Sequence, residues 1–318
     1  MRRLLLGLAS LAVLGVLGLG VALGLAHRGV RAERAPLPTV GEVVASASGP
    51  GKAPLRLSWV NTASQPMPRD AVLARHGGDP YVMSHPAFVL EWEDGRLLLV
   101  DAGMTPAQAA SFGPPLEWLG GAEPIQPRRS VRDQLGDAAA RVRGVVFTHL
   151  HSDHVGGITE LCGVVPSPLV VFMTEAQDAR PNYTTRPGRA LVAAQPCARV
   201  SRVGGPPLVA LPDFPGVFVV AAGGHTPGSQ IVVAHVGAPG ERRTFVFAGD
   251  IVNALEGVAA DAPKPWAYRT FVVPEDEARQ GELRRWLRAL GEQAGVRIVV
   301  SHDQRAIETL GLETFRIE

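Results

Sequence analysis

The sequence predicts an α+β fold in which two β-sheets pack face to face and helices cover the outside, a four-layer αββα sandwich. Short apolar runs separated by turn signals come in series, helical patterns follow, and a further strand closes the chain, with no internal repeat. This order favours separate layers of strands and helices over a doubly wound parallel sheet. The chain also lacks a GxGxxG or GxxxxGKS/T segment that could open a nucleotide-binding fold.

The predicted elements follow in order. AFVLEWEDGRLLLVDAG predicts two strands joined by a tight turn at Asp94-Gly95, the second of which runs into Asp101. RVRGVVFTH predicts a buried strand that ends at His149. The further strands are SPLVVFMT, GVFVVAAGGH, QIVVAHV, RTFVFAGD and VRIVVSHD. Residues 275–294 predict a helix after Pro274, with Leu283, Trp286, Leu287 and Leu290 on its apolar face.

The composition is that of a globular protein without affinity for nucleic acid. Hydrophobic residues make up 46% of the 318 residues and charged residues 19%, which is enough to bury a large core. Five of the 31 basic side chains and one of the 30 acidic ones lie in residues 1–35, so the remainder has a net charge of −3. A body of that charge has no electrostatic reason to bind nucleic acid.

The amino-terminal segment is predicted to span a membrane. The run from Leu4 to Ala26 is uncharged, and its 23 residues can cross the ~30 Å hydrocarbon layer as a helix. A signal-peptide core is shorter, so we expect an uncleaved anchor rather than a cleaved signal, with the body outside the cytoplasm, which is the periplasm if the cell is Gram-negative. The predicted organisation is an anchor or signal segment over residues 1–34, a Pro-, Gly- and Ser-rich linker over 35–54 and one folded domain over 55–318.

Cys162 and Cys197 are the only cysteines, and neither belongs to a CxxC pair. In an exported protein the two would form one disulfide, whereas in the cytosol they would be buried thiols. The sequence leaves both alternatives open. A role as metal thiolates is disfavoured, because the chain offers better ligands.

Histidine and aspartate side chains gather at the ends of the predicted strands. His149 and His151 lie two positions apart, so in an extended strand end both imidazoles point to the same side. Asp153 and His154 follow on a turn before two glycines, and this turn presents a second face. His225, Asp250 and His302 come at the ends of later strands, and loops at such ends converge on one rim. The sequence therefore predicts a paired-metal site.

The alternative for any one histidine is a structural role. His235, within an apolar strand, is expected to be a hydrogen-bonded core residue, and His76 and His85 are expected to be surface or supporting groups. For the cluster this alternative is weak, because buried imidazoles and carboxylates at one turn need a cation to hold them together.

The segments HLHSDH, GGHTPGS, FAGD and SHD, in this order, resemble the metallo-β-lactamase superfamily of dinuclear metallohydrolases over about residues 55–305. The resemblance implies the metallo-β-lactamase fold and two divalent metal ions, zinc first, with iron, cobalt or manganese chemically acceptable. It implies that Asp101 supports the ligand loops. The implied ligands are His149, His151 and His225 for the first metal, Asp153, His154 and His302 for the second, and Asp250 as the bridge.

Differences from the family pattern reduce the number of family branches that the sequence resembles. Asp250 stands where the clinically familiar lactamases have a cysteine or no bridging carboxylate, so antibiotic hydrolysis is disfavoured, and His151 stands where iron-dependent flavoprotein relatives have glutamate. GGHTPGSQ and SHDQ are most similar to the quorum-quenching lactonases. Those enzymes commonly have a tyrosine where this chain has Asn253, which stays a candidate contact to the substrate carbonyl.

The implied function is hydrolysis of a small molecule by a hydroxide that bridges two metals and attacks a lactone, ester or similar carbonyl. Asp153 would take or return a proton. A thioesterase of the glyoxalase II type or a phosphodiesterase could use the same metal pair, and a non-catalytic metal-binding protein is a further alternative. Within the loop of residues 178–199, Tyr183, Arg186 and Arg189 are candidate substrate contacts, with a solvated loop as the alternative.

Overall fold

Two β-sheets form the centre of the computed structural model, which describes residues 2–316 apart from 33, 50, 75–76, 78–79 and 206, and gives only the backbone of residues 2–12, 115 and 119–120. The strands are β1 (Arg56–Pro68), β2 (Pro80–Glu91), β3 (Leu97–Val100), β4 (Gln126–Pro127), β5 (Val142–Val146), β6 (Leu169–Thr174), β7 (Ala198–Val203), β8 (Val209–Ala210), β9 (Val217–Ala221), β10 (Gln230–Val236), β11 (Arg243–Phe247), β12 (Val296–Val299) and β13 (Glu313–Thr314). The helices are α1 (Arg2–Arg31), α2 (Val40–Ala45), α3 (Pro106–Gly120), α4 (Val131–Leu135), α5 (Ser152–Val155), α6 (Glu175–Ala179), α7 (Arg186–Ala193), α8 (Glu256–Ala259), α9 (Glu277–Gly291) and α10 (Gln304–Thr309).

The larger sheet has the strand order β13-β1-β2-β3-β5-β6-β7, with β4 paired to β1, and the smaller sheet has the order β12-β11-β10-β9-β8. Both sheets are mixed. Strands β3, β5, β6 and β7 run parallel, as do β11 and β12, while β9, β10 and β11 pair antiparallel. Strands β9, β11 and β12 run in the same direction, because β10 is antiparallel to both β9 and β11, so the loops that follow these three strands lie at a common edge.

Three apolar layers confirm the predicted four-layer arrangement. The alternation along β10 sends Val232 and Ala234 into the layer between the two sheets, and Ile231 and Val233 to the outer face of the smaller sheet. Helix α9 covers that outer face with Leu283, Leu287 and Leu290, and α4 and α7 cover the outer face of the larger sheet. A sheet that is apolar on both faces needs these covering helices.

The predicted hairpin is present, because β2 and β3 pair antiparallel on either side of Asp94-Gly95. The predicted end of β5 is wrong: the strand ends at Val146, not at His149. The backbone leaves the sheet there because the Thr148 N–H donates to the carboxylate of Asp101 (2.8 Å) instead of a neighbouring strand.

The segment of residues 35–54, predicted as a linker, differs from that prediction because it contains α2. Thr39 caps this helix, accepting from the Glu42 N–H, while the Glu42 carboxylate accepts from the Thr39 N–H. Val43 is fully buried against the smaller sheet. Part of the segment therefore belongs to the outer helical layer.

One helix among the described residues is long and apolar enough to cross a membrane. The span is Val13–Arg31 within α1, and most of its residues are exposed on the surface of the protein. Signal sequences meet the same criterion, so length and composition alone leave the anchor and signal alternatives open.

Cys162 and Cys197 form a disulfide, which is one of the two alternatives that the sequence left open for these residues. The bond closes a loop across a sequence separation of 35. It joins the segment before β6 to the segment before β7, and both cysteines pack on the core between the larger sheet and its helices.

We expect the double variant Cys162→Ser/Cys197→Ser to lower the free energy of unfolding by about 3–4 kcal/mol, because the unfolded chain gains the entropy of an open loop. Urea unfolding of the oxidised protein and the variant measures this difference. The matched control is the variant with and without reductant, whose midpoint should not move. Equal midpoints for the oxidised and the reduced wild-type protein would contradict the prediction.

Candidate metal centre

Polar side chains from four loops meet at one edge of the two sheets. The loops follow β5, β9, β11 and β12, and the first clustered side chain comes three or four residues after each strand ends. Within each group of side chains, the possible ligand atoms lie within 4.8 Å of one another. The groups are His149, His151, His225 and Asp250; His154, Asp250 and His302; and His85, Asp153 and His302. The structure thus brings together all seven side chains that the sequence nominates as metal ligands.

Asp250 joins the first two groups. Its Oδ2 lies 3.7 Å from Nε2 of His225 and 3.8 Å from Nε2 of His149. The same oxygen is 3.1 Å from Nε2 of His302, and Oδ1 is 3.3 Å from Nε2 of His154. A carboxylate in this position can bridge two cations about 3.5–4 Å apart.

Each of the five imidazoles in these two groups has its other nitrogen held by a hydrogen bond. Where the partner is a carboxylate or a carbonyl, the ring N–H must be the donor. Thr148 and Thr184 donate their own hydroxyl hydrogens elsewhere, so they also accept from the rings. The contacts are His149 Nδ1 with Thr148 (3.1 Å), His151 Nε2 with Thr184 (3.0 Å), His154 Nδ1 with Asp101 (2.8 Å), His225 Nδ1 with Glu275 (2.6 Å) and His302 Nδ1 with the carbonyl of Ser84 (2.7 Å).

This pattern fits a metal site. Hydrogen bonding of one imidazole nitrogen fixes the ring and leaves the lone pair of the other nitrogen for a cation. Nε2 of His225 and Oδ1 of Asp250 are buried without a hydrogen-bond partner among the described residues, and both face the centre of the cluster. Buried polar atoms of this kind are costly unless an ion or water satisfies them.

Asp101 occupies the supporting position that the resemblance implies. Its carboxylate accepts from the N–H and the hydroxyl of Thr148 and contacts Nδ1 of His154, each at 2.8 Å. Its backbone has φ of 58°, a left-handed conformation that aspartate tolerates better than most residues. Gly157 packs directly on this turn, where a Cβ would collide with the carbonyl of Ala102. The turn and the HLHSDH loop are therefore held as one unit.

Burial lowers the pKa values of the three imidazoles in the first group. It lowers the pKa of His151 to about 3 and holds the pKa of His149 well below its usual value. It also lowers the pKa of His225, and the ammonium group of Lys264 lowers that pKa further. Neutral imidazoles are the form that binds metal ions.

In the second group, nearby carboxylates outweigh the effect of burial on the imidazole pKa values. Burial alone would lower the pKa values of His154 and His302, but Asp250 and Asp153 raise both above their usual range. In the same way, burial would raise the pKa of Asp250, but His302, His154 and His149 hold it well below its usual value. These carboxylates need positive charge beside them, which a proton on an imidazole or a bound cation can supply.

A buried ion pair, not predicted from the sequence, lies behind His225. The ammonium group of Lys264 donates to the Glu275 carboxylate (2.6 Å) and to the backbone carbonyl of Asp250. Lys264 and Glu275 are both almost fully buried. The pair thus fixes the tautomer of one proposed ligand and the backbone of another. Only the fold could find it, because 39 residues separate Lys264 from His225.

His85 also contacts the cluster. Its ring is buried and its Nδ1 lies 3.2 Å from Oδ2 of Asp153, which agrees with a supporting role and not with a surface one. His235 is a hydrogen-bonded core residue as expected, with contacts to Thr244 (2.9 Å) and Ser46 (2.8 Å). His76 lies outside the described residues.

Asn253 is buried beside the cluster and partners a tyrosine from elsewhere in the chain. Its side chain lies beside the hydroxyl of Tyr268 and lowers the pKa of that group. This direction of the pKa effect means that the amide N–H of Asn253, not Oδ1, faces the tyrosine oxygen, because only a donor favours the ionised form. Burial raises the pKa of Tyr268 well above its usual value, and the carboxylates of Asp250 and Glu275 raise it further. The hydroxyl therefore stays protonated and can donate.

Some of the residues predicted to contact the substrate pair with other parts of the protein instead. Arg189 is committed to Asp178 at 2.6 Å, which argues against its prediction as a substrate contact. Arg186 is exposed at the start of α7. Tyr183 is 43% exposed, and its hydroxyl donates to the carbonyl of Phe271 (3.4 Å). Its neighbour Thr184 touches His151, so this loop borders the cluster.

Comparisons with known proteins agree with this architecture. Residues 80–302 match the family model of the metallo-β-lactamase superfamily. No match was found among curated proteins. Similar solved structures include an N-acyl homoserine lactone hydrolase with N-hexanoyl-L-homoserine bound at its catalytic metal centre, at 16% identity, 83% coverage of this chain, 98% coverage of that chain and a TM-score of 0.60.

Two further structures extend the comparison. A mutant of AiiA from B. thuringiensis with N-decanoyl-L-homoserine at its active site has 16% identity, 83% and 98% coverage and a TM-score of 0.60. AidC, a dizinc quorum-quenching lactonase, has 14% identity, 79% and 90% coverage and a TM-score of 0.52. At these identities the likeness establishes a shared fold.

We expect the purified protein to hold about two divalent ions per chain. Asp250→Ala should lower the content below about one ion, because Asp250 belongs to both donor groups, and His151→Ala should leave about one. Elemental analysis by mass spectrometry measures the content. His27→Gln, which changes a histidine outside the cluster, is the matched control and should keep the wild-type value. A wild-type protein with no more metal than Asp250→Ala would refute the assignment.

Proposed function

The chain belongs to the metallo-β-lactamase superfamily of metal-dependent hydrolases, and we propose that it holds two divalent ions and opens a lactone ring. The observation that carries the proposal is the set of five imidazoles, four buried and that of His151 partly exposed, each hydrogen-bonded at one nitrogen and grouped around the Asp250 carboxylate. Histidine and carboxylate ligands suit zinc first. The proposed ligands are His149, His151, His225 and Asp250 for one ion, and Asp153, His154, His302 and Asp250 for the other.

When bound, such a metal pair supplies a water more acidic than bulk water and a positive charge beside the carbonyl oxygen. In the hydrolysis, the water oxygen forms a bond to the carbonyl carbon and the bond from that carbon to the ring oxygen breaks. One water proton ends on the released ring oxygen as a hydroxyl. The other leaves the new carboxyl group, so the product is a hydroxy acid in its carboxylate form.

Asp153 is the proposed carrier of the proton that reaches the leaving oxygen. Its Oδ2 lies 3.2 Å from Nδ1 of His85, 3.5 Å from Nε2 of His302 and 3.6 Å from Nε2 of His154. Burial alone would raise the pKa of Asp153, but His154, His85 and His302 hold it below its usual value. The carboxylate is therefore present to accept a proton, and the contact from His85 keeps it in position.

Tyr268 and Asn253 are the proposed contacts to the substrate carbonyl. The Asn253 amide donates to the Tyr268 oxygen, which leaves the tyrosine O–H free to donate to a carbonyl oxygen that gains negative charge. This arrangement assigns the donor to Tyr268 rather than to Asn253 alone. One neutral donor beside a metal pair suits the single carbonyl oxygen of a lactone or ester better than the two non-bridging oxygens of a phosphodiester, which share a negative charge.

The proposed location is a membrane anchor over residues 4–26 with the hydrolase domain, residues 55–318, outside the cytoplasm. The apolar helix of residues 13–31 and the disulfide between Cys162 and Cys197 support it. Disulfides persist in oxidising compartments such as the periplasm. Residues 35–54 link the anchor to the domain and contribute α2 to its surface.

A substrate panel tests the reaction class. We expect acyl-homoserine lactones to be hydrolysed faster than thioesters or a nitrophenyl phosphodiester, with zinc or manganese added. The similarity of GGHTPGSQ and SHDQ to the lactonases favours lactones over thioesters, and one neutral donor for a carbonyl oxygen favours them over the phosphodiester. Titration of released acid and chromogenic assays give the rates, and Asp250→Ala supplies the background. A faster reaction with the thioester or the phosphodiester would replace the lactonase assignment by that alternative. No Asp250-dependent turnover of any substrate would favour a non-catalytic metal-binding protein.

Tyr268→Phe removes one hydroxyl and isolates its role. We expect kcat to fall about 10²-fold with KM nearly unchanged, since the hydrogen bond strengthens only as charge develops on the carbonyl oxygen. Steady-state kinetics measures the split, and metal content serves as the control because Tyr268 is not among the proposed ligands. A variant with wild-type kcat would remove Tyr268 from the catalytic machinery.

A further inference from the structure

Four exposed apolar or aromatic side chains lie together at the edge of the metal centre. Trp266 is 61% exposed, Phe271 56% and Val272 45%, and the rings of Trp266 and Phe271 stack edge to face with centroids 5.2 Å apart. Tyr183 joins them through its hydrogen bond to the carbonyl of Phe271. We call Tyr183, Trp266, Phe271 and Val272 the apolar rim. Large apolar side chains that remain exposed in a group commonly mark a surface for a partner or a membrane.

The apolar rim borders the opening of the metal centre. His151 is the one partly exposed side chain among the clustered histidines and aspartates, so the centre opens on its side. Thr184, next to Tyr183, lies 3.0 Å from Nε2 of His151. Tyr268, between Trp266 and Phe271, reaches Asn253 beside the cluster. The apolar rim therefore lies beside the side on which the centre opens.

The segment of residues 266–276, which contains Trp266 and Phe271, also holds the end of the apolar helix α1. Both ring nitrogens of His27 lie at hydrogen-bond distance from backbone carbonyls, that of Thr270 at 3.1 Å and that of Glu275 at 3.3 Å. Val30 is fully buried against the body. Arg34 then pairs with Asp276 at 2.6 Å. The helix is fixed one residue away from Phe271, so its position and that of the apolar rim are coupled.

Over residues 13–25, before this anchor, most side chains of the helix are exposed. The exposed large apolar side chains of its described part are Val13, Leu14, Val16, Leu17, Leu19, Val21 and Leu25. If this part of the helix lies in a bilayer, the bilayer surface meets the protein near Ala26, at the level of the apolar rim. Aromatic side chains are favoured at such membrane interfaces, and exposed arginines such as Arg28 and Arg31 can extend to the headgroups.

We propose that the apolar rim docks on the lipid surface from which α1 emerges, so that the metal centre takes amphiphilic substrates from the bilayer. The proposal rests on the proposed hydrolase function and names its substrate class: a lactone or ester head carrying a long apolar chain. The head reaches the centre past Tyr183 and Thr184 while the chain stays among the lipids. Burial of the apolar rim in the interface removes its apolar surface from water, which favours the docked state.

Lipid contact is tested without reference to catalysis. The full-length protein is reconstituted in vesicles of phosphatidylcholine and phosphatidylglycerol that contain brominated acyl chains, and tryptophan quenching is measured. We expect quenching to fall in Trp266→Phe and to stay unchanged in Trp118→Phe, an equally conservative change at a tryptophan that is 81% exposed elsewhere. Equal quenching in wild type and Trp266→Phe would overturn the proposal, whatever the enzyme hydrolyses.

Substrate entry is tested with two acyl-homoserine lactones, one short and water-soluble, the other long-chained and added to the vesicles. Trp266→Ser/Phe271→Ser should leave kcat/KM for the short lactone unchanged and lower it for the long one by at least about tenfold, equivalent to ~1.4 kcal/mol. Trp118→Ser is the matched control and should change neither. Equal losses for both lactones, or no loss for either, would refute entry from the bilayer.

The two proposals fail in different ways. Absence of Asp250-dependent turnover with every substrate refutes the proposed hydrolysis, and the quenching experiment still decides whether the apolar rim contacts lipid. Normal turnover of soluble lactones together with unaltered quenching in Trp266→Phe refutes docking alone.

Discussion

Five imidazoles and two carboxylates, all buried except the partly exposed His151, lie within a few ångströms of one another at one edge of the two sheets, and much of the surrounding structure holds them there. Each polar atom buried in this way costs free energy unless it has a partner. The protein supplies partners for one nitrogen of every ring, through Thr148, Thr184, Asp101, Glu275 and the carbonyl of Ser84. The remaining lone pairs converge on Asp250, so bound cations would complete the site and stabilise the fold together.

The segment that contains Lys264, Tyr268 and Glu275 connects parts of the molecule that the ligand motif does not. Through Glu275 it fixes His225, and through Tyr268 it reaches Asn253. Its backbone carbonyls hold His27 at the end of the apolar helix. The buried pair of Lys264 and Glu275 is weak evidence for stability, because desolvation offsets the attraction of such pairs. The pair instead fixes the relative positions of His225, the end of the apolar helix and the segment beside the opening of the metal centre.

Local patterns predicted the layers and the ligand side chains well. The alternation of apolar residues along β10 and the turn at Asp94-Gly95 depend on neighbours in sequence, so they could be read without the fold. The end of β5 could not, because the Thr148 N–H is drawn out of the sheet by Asp101, 47 residues away. The ion pair between Arg189 and Asp178 could not be predicted either, because the fold must first bring α7 close to α6.

The sequence by itself identified most of the core strands and the apolar amino-terminal helix, since apolar runs, their alternation and turn residues are local features. It also nominated the histidines and aspartates that gather, because each follows the end of an apolar run. Only the tertiary structure decided what surrounds them. It paired Cys162 with Cys197, placed Tyr268 beside Asn253 and set the apolar helix against the segment at the entrance. These contacts join residues far apart in the chain, and their geometry depends on how the two sheets and their covering helices pack.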